Sequence, residues 1–536
     1  MKNTHALLRQ ICRAVALAGL ILAVQPPTQA QTLRWAPPSD ALSLDPHAQN
    51  EVLSNSLNAH IYERLTTRDQ QLAIVPGLAS EWKQIDALTW TFRLRRGVRF
   101  HDGSELKGED VVFSVQRAQH PASAVAQYAR GLGRVEHLGQ GLIRFRLDKP
   151  NPVLLDHVDA VPIMSLRWAR QHGVMVPLSH KLHQENHAKH HAMGTGPYRL
   201  LSRQPDVRTV LTRHDGYWGR VSGNIRRLEM LPISNALTRT AALLNGEVDL
   251  VTAPSAHDLP RLAGTPGVVV RRTQENRVVF LGFDQFHDEL SGSGIKGRNP
   301  LKDVRVRTAI AHAIDDGAIR DVLLRDQATP TGCLLPSALT CAQIPELDAH
   351  RPAFQPARAR QLLAEAGYPD GFRLTLDCPN DRNVNDEILC VGLAGMLAKV
   401  GIELRVNLMP RAQFFPKLDR LESSAYLMAW GGAELDAQPT MEPLMHSWDE
   451  RSGRGEVNFG RFSDASLDSL IDSAAVEPDA RKRQKLVRAA LLRHQAQSYH
   501  VTLYRQTLSW AMREHVTALP AANNHLRAWF ITVHPR

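Results

Sequence analysis

The segment from residue 372 to 408 restricts the fold more than any other. Phe372, Leu374 and Leu376 alternate with other residues, Ile388, Leu389, Met396 and Leu397 follow at helical spacing, and beyond Gly401 the alternation returns at Leu404, Val406 and Leu408. A period of two puts alternate side chains on opposite faces of a strand, while a period near 3.6 gives a helix one apolar face. The reading is therefore strand, helix, strand, a unit that favours a parallel or mixed sheet covered by helices. The expected class is α/β.

The same alternation of element types recurs along the chain. Trp90, Phe92 and Leu94 read as a strand, with Val98 and Phe100 resuming after Gly97. A helix is expected from Glu109 and Asp110, whose acids suit the unpaired N–H groups of a helix start. Leu142 to Leu147 alternates as a strand. Asn235 is placed to cap a helix ended by Gly246, and Asp303 another that carries Ala309, Ile310, Ala313 and Ile314. No fixed-period repeat or low-complexity linker separates these units.

The first residues place the protein. Lys2, Arg9 and Arg13 precede the apolar run from Ala14 to Val24, which is too short to span a bilayer and is followed by Thr28-Gln29-Ala30. This pattern is a signal peptide, residues 1–30, with cleavage expected after Ala30. No lipobox cysteine follows the run, so the expected compartment is the periplasm. At 536 residues the chain needs two to four domains or subdomains. The net charge of +10 is modest and spread, with no basic tail or nucleic-acid-reading motif, so no nucleic-acid partner is expected. An oxidising compartment permits disulfides between Cys333 and Cys341 and between Cys378 and Cys390; unpaired buried thiols are the alternative.

An exported hydrolase would carry a nucleophile or metal signature. The sequence has no G-x-S-x-G elbow, no Walker loop and no H-E-x-x-H. In His183-Gln184-Glu185-Asn186-His187 the glutamate is misplaced for a zinc-protease base. His180, His183, His187, His190 and His191 form a stripe if helical, the one metal-binding reading, but no carboxylate or cysteine completes a ligand set. A solvated polar segment is expected there, and no cofactor.

The motifs, taken in order, resemble one family. LDPH (Leu44 to His47), IYERL (Ile61 to Leu65), PGLASEW (Pro76 to Trp82), WTFRLRRGVRFHDG (Trp90 to Gly103), EDVVFS (Glu109 to Ser114), GTGPYRL (Gly194 to Leu200), YWG (Tyr217 to Gly219), LNGEVDL (Leu244 to Leu250), DVRVRTAIAHAID (Asp303 to Asp315) and LLAEAGYPDGF (Leu362 to Phe372) are similar to motifs of the family 5 solute-binding proteins of peptide and nickel ABC importers. The resemblance implies a periplasmic binding protein type II-like α/β fold, with two lobes built from three subdomains around a ligand cleft. It assigns residues 31–65 and 194–284 to lobe 1, 66–193 to an accessory subdomain, 285–508 to lobe 2 and 509–536 to a return into lobe 1. Binding without catalysis is implied: a monomer captures a peptide or peptide-like molecule and delivers it to a permease and ATPase complex in the inner membrane. A nickel or metallophore ligand is the alternative within the family, and a secreted hydrolase the alternative outside it.

In dipeptide-binding members a tryptophan, and an aspartate three residues later, meet the ligand's amino group, and an arginine from an earlier loop takes its carboxylate. The resemblance carries the tryptophan to Trp430, but the aspartate position holds Ala433, with Glu434 beside it. The later Asp-Pro is Asp436-Ala437, and Arg382 matches the arginine, whose guanidinium can make two parallel hydrogen bonds. Arg411 and Asp284 complete the candidate set. A buried ammonium without an anionic partner is costly, so Ala433 weakens a simple dipeptide assignment.

Overall fold

The computed structural model describes residues 31–179, 185–380, 382, 385–432 and 435–535. The signal peptide, His180, His183, Ala433 and Glu434 lie outside the described residues.

The strand, helix, strand unit forms as Phe372–Pro379, Asp386–Ala398 and Ile402–Met409. Its strands are parallel, with Phe372 opposite Ile402 and Pro379 opposite Met409. A third parallel strand, Ala425–Gly431, lies on the other side of Phe372–Pro379. Leu427 and Ala429 of that strand enter a core with Ile310, Leu363 and Leu389, while Tyr426 and Met428 enter a second core with Phe414, Met441 and Leu491. Both faces of the sheet are thus covered, as a parallel arrangement requires.

Two long strands carry this sheet into a second one. Val268–Phe283 has 16 residues and His500–Arg513 has 14, so each reaches on the order of 45 to 55 Å. They pair antiparallel over two stretches, Val268–Gln274 against Arg513–Thr507 and Val278–Gly282 against Arg505–His500, with a break in register between Gln274 and Val278. Beyond one end Val268–Phe283 joins Ala425–Gly431. Toward the other, His500–Arg513 joins Leu250–Thr252, followed in order by Thr32–Ala36, Arg227–Met230, Arg208–Arg213 and Tyr198–Gln204. This half has its own core, in which Leu33 and Trp35 from the start of the chain meet Trp510, Met512 and Leu526 from its end.

A separate four-stranded antiparallel sheet, in the order Ala79–Asp86, Thr89–Leu94, Leu142–Arg146, Arg134–His137, packs with the helix Gly108–Gln119 around Phe92, Phe100, Val111 and Phe145. Asp110 accepts from the Lys107 N–H, so the expected acids do cap that helix. Asn235 and Asp303 cap the helices Ala236–Leu244 and Val304–Ala313 through their side chains. The second alternation, at Val98 and Phe100, is one arm of a minimal antiparallel ladder: Arg99 bridges to Glu105, Leu106 N–H donates to Val98 O at 2.9 Å, and the turn between the arms is closed by Gly103 N–H donating to Phe100 O at 2.8 Å.

The motif residues that tie these bodies together are buried. Asp45 of LDPH accepts two hydrogen bonds from Arg117, at 2.8 and 2.6 Å, with both side chains almost wholly shielded from solvent. Gly194 and Gly196 are required because a Cβ at either would overlap the carbonyls of Ile61 or His60, against which GTGPYRL lies. Disulfides join Cys333 to Cys341 and Cys378 to Cys390.

Candidate functional site

The register break supplies the floor of a cleft between the two halves. Glu275 is 2% exposed and accepts from Gln506 Nε2 at 2.8 Å and from Arg277 Nε at 3.1 Å, which fixes the irregular backbone in place. Asn276 faces both halves through its backbone, donating to Ala522 O at 2.7 Å and accepting from the Gly432 N–H at 3.2 Å. A Cβ at Gly431 would come within 2.8 Å of Asn276 O, so glycine permits this approach. The side-chain Nδ2 of Asn276 is buried without a hydrogen-bond partner. An unpaired buried amide is costly unless something else completes it.

The lobe 2 wall holds most residues picked out in the sequence. Trp430 lies opposite Val278, half-buried, with its indole N–H donated to Thr440 Oγ1 at 3.1 Å. Arg382 donates to Ala429 O at 2.7 Å, contacts Met428 Sδ and lies 4.6 Å over the Phe415 ring. Asp436 accepts from both terminal nitrogens of Arg483 at 2.6 Å and from the Gln438 N–H. Arg411 begins the helix Arg411–Asp419. Asp284, 7% exposed, caps its own turn by accepting from the N–H groups of Phe286 and His287 and pairs with the His287 ring. The structure therefore gathers Trp430, Arg382 and Asp436 near one wall but gives each charged group an internal partner, and Asp284 serves a turn.

The lobe 1 wall contains residues that the sequence reading passed over. Arg68 is held by Asp159 and Asp156, each at 2.7 Å. Beside it, Arg64 has a buried Nε with no hydrogen-bond partner. Burial holds the Arg64 guanidinium below its usual pKa, with the nearby charge of Arg68 adding to this and Asp159 opposing it. Arg527 donates to the backbone O of Asp69 at 2.7 Å. Its pKa is lowered too, first by burial; Asp159 opposes this, and Arg64 and Arg68 add to the fall. Burial, followed by the charges of Arg527 and Arg64, pushes His525 down to about 3, so this imidazole is neutral near pH 7. Arg64 sits inside IYERL, next to Glu63 and between apolar residues Ile61-Tyr62 and Leu65.

The two walls face one another across the floor. The carboxyl of Asp156 is raised mainly by burial, and the negative charge of Asp436 in lobe 2 acts in the same direction. Burial lowers His157 to about 4 against the opposing pull of Glu442 and Asp436. At the rim, a Cβ at Gly453 would lie 2.6 Å from Arg130 Nη1. Of the histidine stripe, His187 stacks on both His172 and His191 at 3.9 Å, and His190 pairs with Glu185. Among the described residues no group of three or more histidine, cysteine or acidic side chains is arranged to hold a metal ion.

Two half-sheets sharing two strands, with a polar cleft at the crossing, define a two-lobed protein of the periplasmic binding, type II-like class. A family model for bacterial extracellular solute-binding proteins, family 5 (middle), matches residues 73–452, and the chain belongs to this family. Heme-binding protein A of Haemophilus influenzae is 26% identical over 468 residues, covering 81% of this chain and 80% of that protein. The glutathione-binding protein GsiB of Salmonella choleraesuis is 24% identical over 490 residues and 89% of each chain. The structure of the ABC transporter-associated periplasmic binding protein DppA from Helicobacter pylori, in complex with peptide STSA, has the same fold at a TM-score of 0.78 and 22% identity, covering 94% of this chain and 98% of that one. Among the described residues no helix is long and apolar enough to cross a membrane.

Proposed function

We propose that this chain is the extracytoplasmic ligand-capturing component of an ABC importer, that it binds a peptide-like molecule between its lobes, and that it hands the molecule to a membrane permease. The observation that carries the reading is the crossing itself. Two strands common to both halves lose their register at one level, Glu275 to Arg277, and an unpaired polar group, Asn276 Nδ2, lies there. A short irregular stretch can absorb the backbone rotation of a hinge, and a ligand that touches both walls favours the closed state by its differential affinity for it. We place lobe 2 between the two crossings and the accessory subdomain within lobe 1.

Trp430 is the lobe 2 residue best suited to ligand contact. Its N–H is engaged by Thr440, which fixes the indole and leaves its ring as a stacking surface. The reading is a binding role without chemistry, and the relatives that match the chain are named for what they bind. The peptide-like ligand rests on the glutathione- and peptide-bound relatives.

The test is native mass spectrometry of protein recovered from its own periplasm, followed by thermal-shift screening and small-angle scattering with peptides and glutathione. A retained or added compound is expected to raise the unfolding midpoint in proportion to log concentration and to reduce the radius of gyration. Steady turnover of a substrate with no retained ligand would overturn the proposal. Trp430→Ala is expected to abolish the ligand-induced rise in the unfolding midpoint, while the midpoint of the free protein falls only by what the lost Thr440 hydrogen bond and core contact contribute.

A further inference from the structure

The family resemblance puts carboxylate recognition on Arg382, in lobe 2, but the geometry of this chain has already engaged that side chain. Its guanidinium donates to Ala429 O, contacts Met428 Sδ and stacks on Phe415. To take a ligand carboxylate, Arg382 would have to give up a 2.7 Å hydrogen bond to a buried strand. Asp436 is equally committed, since Arg483 holds both of its oxygens.

Across the cleft the position is reversed. Arg64 is half-buried, and its shielded Nε donates to nothing. Arg527 makes one backbone hydrogen bond, to Asp69 O, while Oδ1 of the Asp69 carboxylate caps its own turn at Gln71 and Ala73 and its charge acts on Arg527 without a hydrogen bond to it. The two acids nearest the cluster, Asp156 and Asp159, are both taken by Arg68. The charges of Asp159 and, for Arg527, Asp69 reach these guanidiniums, but Asp159 is hydrogen-bonded by Arg68 and neither carboxylate accepts from Arg64 or Arg527, so forks that match a carboxylate with two parallel N–H donors are left without one. These residues are also in the right place: Ala522, hydrogen-bonded to Asn276 at the floor, lies three residues before His525 and five before Arg527.

We infer that Arg64 and Arg527 of lobe 1 form the carboxylate-binding subsite of this protein, so that its ligand presents an anionic carboxylate to lobe 1 instead of to Arg382. The neutral His525 imidazole beside them is a further hydrogen-bonding group for the same anion. Ala433 fits this arrangement, because a site anchored on the carboxylate does not depend on an aspartate for a ligand ammonium. The inference rests on the peptide-like reading proposed above and specifies which chemical group of the ligand is read, and by which wall.

The test uses isothermal titration calorimetry on the full mature chain with two probes in paired forms: the tetrapeptide Ser-Thr-Ser-Ala as free acid and as C-terminal amide, and glutathione as free acid and as diethyl ester. The acids are expected to bind about tenfold to a hundredfold more tightly than the neutral forms, the range for one or two hydrogen bonds to a charge. Arg64→Gln and Arg527→Gln should each remove that preference and leave the affinity for the neutral forms unchanged, Arg64→Lys should restore part of it, and Arg382→Gln should not abolish it. Two separately placed arginines keep the test valid if one variant fails to fold. Equal binding of acids and neutral forms, or acids that bind both glutamine variants as tightly as wild type, overturns the inference while the peptide-like function stands. Failure of every probe to bind, in either form, overturns both.

Discussion

The two walls of the cleft differ in how far their charges are already used within the chain. On lobe 2, Arg382, Asp436 and the Trp430 N–H each have a partner on their own side of the cleft. On lobe 1, Arg64 Nε has none, and at the floor neither has Asn276 Nδ2. The contrast shows why residue type and position are weak guides to a ligand site. A charge becomes a recognition group only after its internal partners have been subtracted, and the partner of Asp436 is 47 residues away in sequence. It follows that mutating an engaged group should cost stability, whereas mutating an unpaired one should cost affinity.

The sharpest form of that contrast is Arg117→Met. Arg117 of the helix Gly108–Gln119 and Asp45 of the LDPH segment form a shielded, doubly hydrogen-bonded pair. Removing one partner leaves the other charge buried alone, and the expected loss is about 3 to 5 kcal/mol by urea unfolding. A loss below about 1 kcal/mol would show that engaged and unpaired charges do not differ as claimed.

A pH-dependent version comes next. Glu63, the immediate neighbour of Arg64, accepts from Tyr217 OH and Trp218 Nε1 at 2.9 Å, and burial pushes its pKa from 4.5 up to about 7. Because the folded value is the higher one, the native state holds a proton that the unfolded chain has lost between those values. The stability due to this proton is full below about pH 4.5 and is lost as the pH rises through about 7. Glu63→Gln should be free of that decline, gaining on wild type by about 2 to 3 kcal/mol between pH 5 and 8. Parallel stability curves for the two proteins would remove Glu63 from the set of engaged, titrating groups.

The fold was legible where the physics is local. Alternation and helical spacing at 372–408 led directly to the observed parallel unit, and Asn235 and Asp303 cap the helices they were expected to cap. Val98 and Phe100 form only a single bridge, at Arg99 and Glu105, because the turn at 101–103 follows them at once. His101, in the turn that follows, sits against Gly196 O at 3.0 Å and beside His214, and burial lowers it to about 4. The site was less legible still. The resemblance led to Trp430 and Arg382, which the structure places near one another, but it could not reveal that Ala429 O and Phe415 occupy Arg382. Arg64 and Arg527 are 463 positions apart and meet only because the chain's end returns to the lobe where it began.

The two smallest expected effects compare one residue from each wall. Asp436→Asn breaks a pair that is only partly shielded, 21% exposed on the aspartate side, and the expected loss is about 1.5 to 2 kcal/mol. Arg64→Gln should cost less than about 1 kcal/mol in the free protein, because its Nε has no internal hydrogen bond to lose and a neutral amide avoids burying a charge. The measurement is urea unfolding of the ligand-free protein at pH 7, with both variants beside wild type. If Arg64→Gln proves more damaging than Asp436→Asn, then Arg64 is a structural residue, the two walls are alike, and the contrast between them fails. If it is neutral or stabilising, the folded chain is tolerating a desolvated guanidinium for a purpose other than its own stability, which is the behaviour expected of a group kept available for an anion from outside.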